Sequence, residues 1–113
     1  MPKKPTSDEV WLALDQLRRA LNDAYWEISD PQQGDRILAL AQDVDSIQDD
    51  MDKDAIISNT AAYKNLQARV KGVNDKLDQL KKDIDGMIHS VETVTKIAGY
   101  IDQAMQLAAK YFV

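Results

Sequence analysis

The 113-residue chain is the size of one ordinary domain, and 44% apolar residues with 29% charged and only 6% aromatic is the balance of helical bundles and coiled coils. A net charge of −5, with the basic pairs Lys3-Lys4, Arg18-Arg19 and Lys81-Lys82 scattered, argues against a nucleic-acid binder, which needs a basic surface to release counterions. The absence of cysteine removes disulfides, a thiolate nucleophile and Cys-based zinc sites.

The first element is announced by Thr6-Ser7-Asp8-Glu9, a capping box in which Thr6 accepts from the backbone three residues on. A helix over about 7–29 follows, with Val10, Leu14, Leu17, Leu21, Ala24 and Ile28 spaced alternately by four and three. Trp11, Leu12, Tyr25 and Trp26 widen its apolar stripe, so it is expected to pack on more than one neighbour. The start, with Lys3 and Lys4 followed by acidic residues in place of an apolar run, does not read as a secretory signal peptide. A cytoplasmic location is expected, with signal-less export as the alternative.

Ser29-Asp30-Pro31-Gln32-Gln33 marks a boundary: proline disfavours helix at Asp30 and suits the first helical position, and Asp30 with Gln33 repeats the capping spacing. The second helix, about 31–51, carries Ile37, Leu40, Val44, Ile47 and Met51 on its seam, out of phase with the first. Crowded aspartates oppose the negative end of a helix dipole and end it near Met51. Asp52, Asp54, Ser58, Asn59 and Thr60 are candidate caps for the next helix, and Ile56 and Ile57 are candidate core plugs at the corner.

From Tyr63 to Phe112 one heptad frame is apolar at every a and d position. The a positions are Tyr63, Val70, Leu77, Ile84, Val91, Ala98, Met105 and Phe112; the d positions are Leu66, Val73, Leu80, Met87, Val94, Ile101 and Ala108. A strict seven-residue repeat implies a left-handed supercoil. The unbroken frame favours one helix over about 59–112, roughly 75 Å long over its seam at 1.5 Å per residue. The alternative is two helices, 59–85 and 89–112, with Gly86 as a left-handed C-cap and Ser90 capping the second. Against that break, a loop holding Met87 and Ile88 exposes two apolar side chains. The flanking positions are charged early (Arg69, Lys76, Lys81, Asp83) and apolar late (Ile88, Ile97, Ala104, Ala109, Tyr111), a narrow seam that broadens toward the C-terminus.

Charge divides the chain into complementary parts: up to Asn59 there are 6 basic and 13 acidic residues, and from Thr60 onward 8 basic and 6 acidic. If the chain reverses near 55–60, the aspartates of the second helix face Lys64, Arg69 and Lys71 across an antiparallel hairpin. The expected fold class is therefore all-α, an antiparallel bundle or coiled coil of three or four helices in a single domain.

No catalytic constellation stands out. His89, the single histidine, has Asp85 and Glu92 at helical spacing, but the three read as an exposed face rather than a metal site. The run Asp43 to Asp54 fails as a calcium loop at Ile47 and Gln48, where an oxygen ligand and a turn glycine are required. The four glycines form no phosphate loop, and no nucleophile, acid and base fall together. No cofactor or enzymatic activity is expected.

The expected function is that of a non-catalytic interaction protein, binding a helical protein partner or a second copy. Its interaction seam comprises Leu66, Val70, Val73, Leu77, Leu80, Ile84, Met87, Val91, Val94, Ile101 and Met105. A partner-binding surface is expected among Trp11, Tyr25, Trp26, Ile97, Tyr111 and Phe112, where large aromatic side chains supply contact area. The alternative is a membrane-active or exported effector using its apolar C-terminal helix, although that segment lacks the lysines and arginines usual in surface-lying helices.

Overall fold

A computed structural model describes residues 5–52 and 61–112. Its elements are α1 (Ser7–Tyr25), α2 (Pro31–Asp52), α3 (Ala61–Asp83), a single 3₁₀ turn (Ile84–Gly86) and α4 (Val91–Tyr111). Among the described residues there is no strand.

The helix starts are where local chemistry puts them. The Thr6 hydroxyl accepts from the Glu9 N–H at 3.2 Å and caps α1. Asp30 receives the Gln32 N–H on its side chain at 3.0 Å and the Gly34 N–H on its carbonyl at 2.9 Å, with Pro31 opening α2. Ser90 caps α4 through the Thr93 N–H. The first helix ends at Tyr25, short of the expected 29, because the chain tightens: Trp26, Glu27 and Ile28 donate to carbonyls three residues back instead of four. The expected caps Asp54, Ser58, Asn59 and Thr60 and the plugs Ile56 and Ile57 lie outside the described residues.

The helices run alternately up and down. Between α2 and α3, Arg36 pairs with Asp83 at 3.0 Å, Asp43 with Lys76 at 3.5 Å, and Asp50 with Arg69. Each step moves seven residues forward in α2 and seven back in α3, so the pairs form a ladder along an antiparallel hairpin. Lys81–Asp102 at 2.6 Å, Tyr63 Oη donating to the Tyr111 carbonyl and the Gln67 amide donating to the Phe112 carbonyl set α4 antiparallel to α3. α1 packs on α2 and α4, as its wide apolar stripe requires, and α3 packs on the same two. The result is a square four-helix bundle with one core, whose fully enclosed side chains include Leu17, Leu21, Ile37, Ile47, Leu77, Leu80, Ile97 and Ile101.

The continuous helix expected over 59–112 is broken. α3 ends at Asp83, the 3₁₀ turn follows, and α4 begins anew at Val91. Neither objection to a break applies: Met87 and Ile88 are buried, closing the end of the bundle. Nor is Gly86 the expected left-handed cap, since its φ lies outside that region; the turn is closed by Met87 and Ile88 N–H groups on the Ile84 carbonyl. The seam changes phase across the break. In α3 the heptad positions Tyr63, Leu66, Val70, Val73, Leu77 and Leu80 are all buried, whereas α4 buries Ile97, Ile101, Ala104 and Ala108 and leaves Val91 78% exposed.

Candidate functional site

One polar cluster lies between α1 and α2. The Asp15 carboxylate accepts from Arg18 at 2.7 Å and Arg19 at 2.9 Å. Gln48 of α2 accepts from Arg18 at 3.1 Å and donates to the Trp11 carbonyl at 3.3 Å, with Asp15 at 3.4 Å. Asp15 and Gln48 are both buried, and no enclosed side-chain polar atom among the described residues lacks a partner. The Arg18 guanidinium, with Gln48 and Arg19 adding to it, outweighs burial and holds the Asp15 carboxyl below its ordinary value of 3.8. An ionised carboxylate with its oxygens engaged by fixed donors is suited to locking two helices in register, not to transferring a proton.

The other feature is the end of the bundle where the α1–α2 and α3–α4 connections meet. Glu27, just beyond α1, accepts from the Thr93 hydroxyl in the first turn of α4 at 3.1 Å and ties the two connections together. Between them lies a cleft of about 190 Å³, lined by Glu27, Ile28, Ser29, Asp30, Gln33, Gly86, Met87 and His89. Its two apolar side chains are Met87, which is buried, and Ile28, which is half-buried; the other lining side chains are polar. Trp26, the residue before Glu27, is 83% exposed, and Val91, two residues after His89, is 78% exposed. The Trp26 ring is held edge-on by Tyr25 at 5.3 Å. Tyr25 in turn lies against Gly34, where a Cβ would approach the ring to 3.3 Å. The close approach of α2 at Gly34 thus sets the aromatic pair.

The residues singled out in the sequence separate into two groups. The seam residues Leu66, Val70, Val73, Leu77, Leu80, Ile84, Met87 and Ile101 are buried, Val94 and Met105 are half-buried, and Val91 is exposed. Of the expected partner-binding set, Ile97 and Phe112 are inside the core at 1% and 6% exposure. Tyr111 is half-buried, and its ring packs edge-on against Phe112. Trp11 and Tyr25 are half-buried, leaving Trp26 as the aromatic side chain offered to solvent. The Glu27–Asp30–His89 cleft carried no sequence signal, because its walls are about sixty residues apart in the chain. Among the described residues no three of His, Asp and Glu gather in a metal-holding group, and no helix is long and apolar enough to cross a membrane.

Comparison of the chain with protein-family models, curated proteins and solved structures returns no match.

Proposed function

We propose that the protein acts by binding another protein, without catalysing a reaction, and that it does so through the end of the bundle that carries Trp26. The observation behind this reading is the exposure of Trp26 in a structure that has buried or half-buried its other aromatic side chains. An exposed, orientationally held indole is the kind of side chain that dominates binding energy at protein interfaces. The heptad seam, on this reading, serves the bundle's own closure, since its α3 residues are already covered by α2 and α4. The closed form likewise leaves the apolar face of α4 facing the core, so a partner meets the connections at the end of the bundle and not that face.

Photo-cross-linking from the neighbouring exposed Ser29, which keeps Trp26 in place, tests the reading. A benzophenone side chain placed there should give one heterologous adduct in the native extract, competed by unlabelled wild-type protein but not by Trp26→Ala. The same probe at the exposed Gln79, on the side of the bundle, should not give it. Equal adducts from both positions, or competition by Trp26→Ala, would refute a site at Trp26; an adduct with a second copy of the chain would replace the heterologous partner by self-association.

A further inference from the structure

We infer that the cleft beside Trp26 receives a lysine or arginine side chain, so that the partner is a basic amphipathic segment; this rests on the reading of that end as the binding surface. Three observations converge. First, the cleft combines two covered apolar side chains, Ile28 and Met87, with the exposed carboxylate residues Glu27 and Asp30, a lining that matches a side chain with a methylene stem and a cationic head. Its volume of about 190 Å³ suits one such side chain.

Second, this end of the bundle has acidic charge to spare. Asp23, Glu27, Asp30, Asp85 and Glu92 stand on it without an ion pair among the described residues. Its basic residues are mostly committed elsewhere: Arg36 to Asp83, Lys82 to Asp78 and Lys81 to Asp102. Lys96 is the one basic residue in the first two turns of α4. A second copy of this end, a nucleic acid or an anionic lipid surface brings like charge against it, whereas a cationic segment brings complementary charge.

Third, Trp26 and Val91 flank the cleft's walls in sequence and are exposed. Apolar residues of an amphipathic segment have a surface to cover there while its cation occupies the cleft. Guanidinium over the indole face adds a cation–π contact.

The test uses the full chain with Trp11→Phe, which leaves Trp26 as the single fluorescent tryptophan. It is titrated with an amphipathic helical peptide of leucine and arginine, with its counterpart in which citrulline replaces arginine, and with anionic phosphatidylserine vesicles. The arginine peptide should shift Trp26 emission and bind about tenfold more tightly than the citrulline peptide, with affinity falling as salt rises. Glu27→Gln with Asp30→Asn removes both charges while keeping the acceptor for Thr93 and a competent cap for α2; it should erase the preference for arginine, with helicity by circular dichroism unchanged. Equal binding of the two peptides, both lost in Trp26→Ala, would overturn the basic partner and leave the docking end standing. Arginine-peptide binding that is insensitive to Trp26→Ala would overturn both, as would no binding by either peptide. Tighter binding to the vesicles than to the arginine peptide would replace the protein partner by a lipid surface.

Discussion

Replacing Asp15 with alanine probes the polar lock between α1 and α2. Two guanidinium contacts are lost, but unequally. The Arg19 side chain is 73% exposed, so its pair is worth at most about 1 kcal/mol. Arg18 is 27% exposed, and a hydrogen bond to a charged group in that setting contributes about 1.5–3 kcal/mol. Part is recovered, since Arg18 has Asp45 at 3.8 Å and Gln48 keeps the Trp11 carbonyl. A net loss of about 2 kcal/mol remains. With an unfolding entropy of about 2.1 cal/mol/K per residue, that lowers Tm by roughly 8 °C, read by thermal circular dichroism at pH 7.

Acid titration gives an independent check on the same residue. Because the folded-state pKa of Asp15 is depressed, its contribution is complete above the unfolded value of 3.8 and is lost as pH falls through the folded value. The gap in Tm between wild type and Asp15→Ala should therefore stay constant from pH 7 to about 5 and close below about 4. Replacing the whole cluster by Asp15→Leu, Arg18→Met and Gln48→Leu should cost little or even stabilise, as apolar substitution of buried ionic clusters often does. An Asp15→Ala protein melting within about 2 °C of wild type at pH 7, or a gap that widens in acid, would refute the assignment.

Two other perturbations read the hairpins. Asp43→Lys should cost under about 1 kcal/mol because both partners of the Asp43–Lys76 pair are 42% exposed or more, and adding Lys76→Asp should restore the loss; failure of the double variant to recover would deny the α2–α3 register. At the α3–α4 connection, Ser90→Ala removes the cap of α4 and should cost about 1 kcal/mol, roughly 4 °C in Tm, whereas Gly86→Ala should stay within about 0.5 kcal/mol because its Cβ meets nothing within 4 Å; the reverse ranking would mean that Gly86, not Ser90, governs the turn.

What the sequence revealed and what it hid follow from how far each signal reaches along the chain. Thr6, Asp30-Pro31 and Ser90 act on backbone groups two to four residues away, so their roles were readable locally. The α2–α3 hairpin was readable in part, because charge complementarity survives without knowing the register. Of the expected bases Lys64, Arg69 and Lys71, only Arg69 pairs with an α2 aspartate among the described residues, while Lys76 supplies a second rung and Arg36–Asp83 a third of reversed polarity. The Asp15–Gln48 lock was not readable, since it depends on the mutual rotation of α1 and α2, and neither residue carries a motif. Trp26 was named in the expected partner-binding set, but that it is the exposed aromatic of that set was hidden for a related reason: α1 ends one residue before it, and the tightened turn takes it off the helical frame that Leu14, Leu17 and Leu21 share. Ile97 and Ala104 were visible as a broadening of the late seam, and the fold packs that broad face against α1; the placing of Ile97 in a partner-binding surface is what the fold reverses.

The break between α3 and α4 shows why an unbroken heptad frame does not by itself define one helix. Ile84, Met87 and Ile88 continue the apolar pattern through the connection because the chain buries them while reversing, so the repeat carries no mark of the turn. Covering area decides instead. α1 and α2, at 19 and 22 residues, are about 28 and 33 Å long and match α3 and α4 individually. Against a single helix of roughly 75 Å they would leave half of its seam in water. Folding back lets α4 cover the second side of α1, whose stripe includes Val10, Leu14, Leu17 and Leu21, all buried. Small-angle scattering distinguishes the two forms directly. The bundle has a radius of gyration of 14.3 Å. A 75 Å rod alone contributes a radius of gyration of about 22 Å, its length divided by √12, before any partner is added. A measured value near 14–16 Å at the monomer mass is expected. A value above about 20 Å would restore the continuous helix and, with it, a seam open to a second chain.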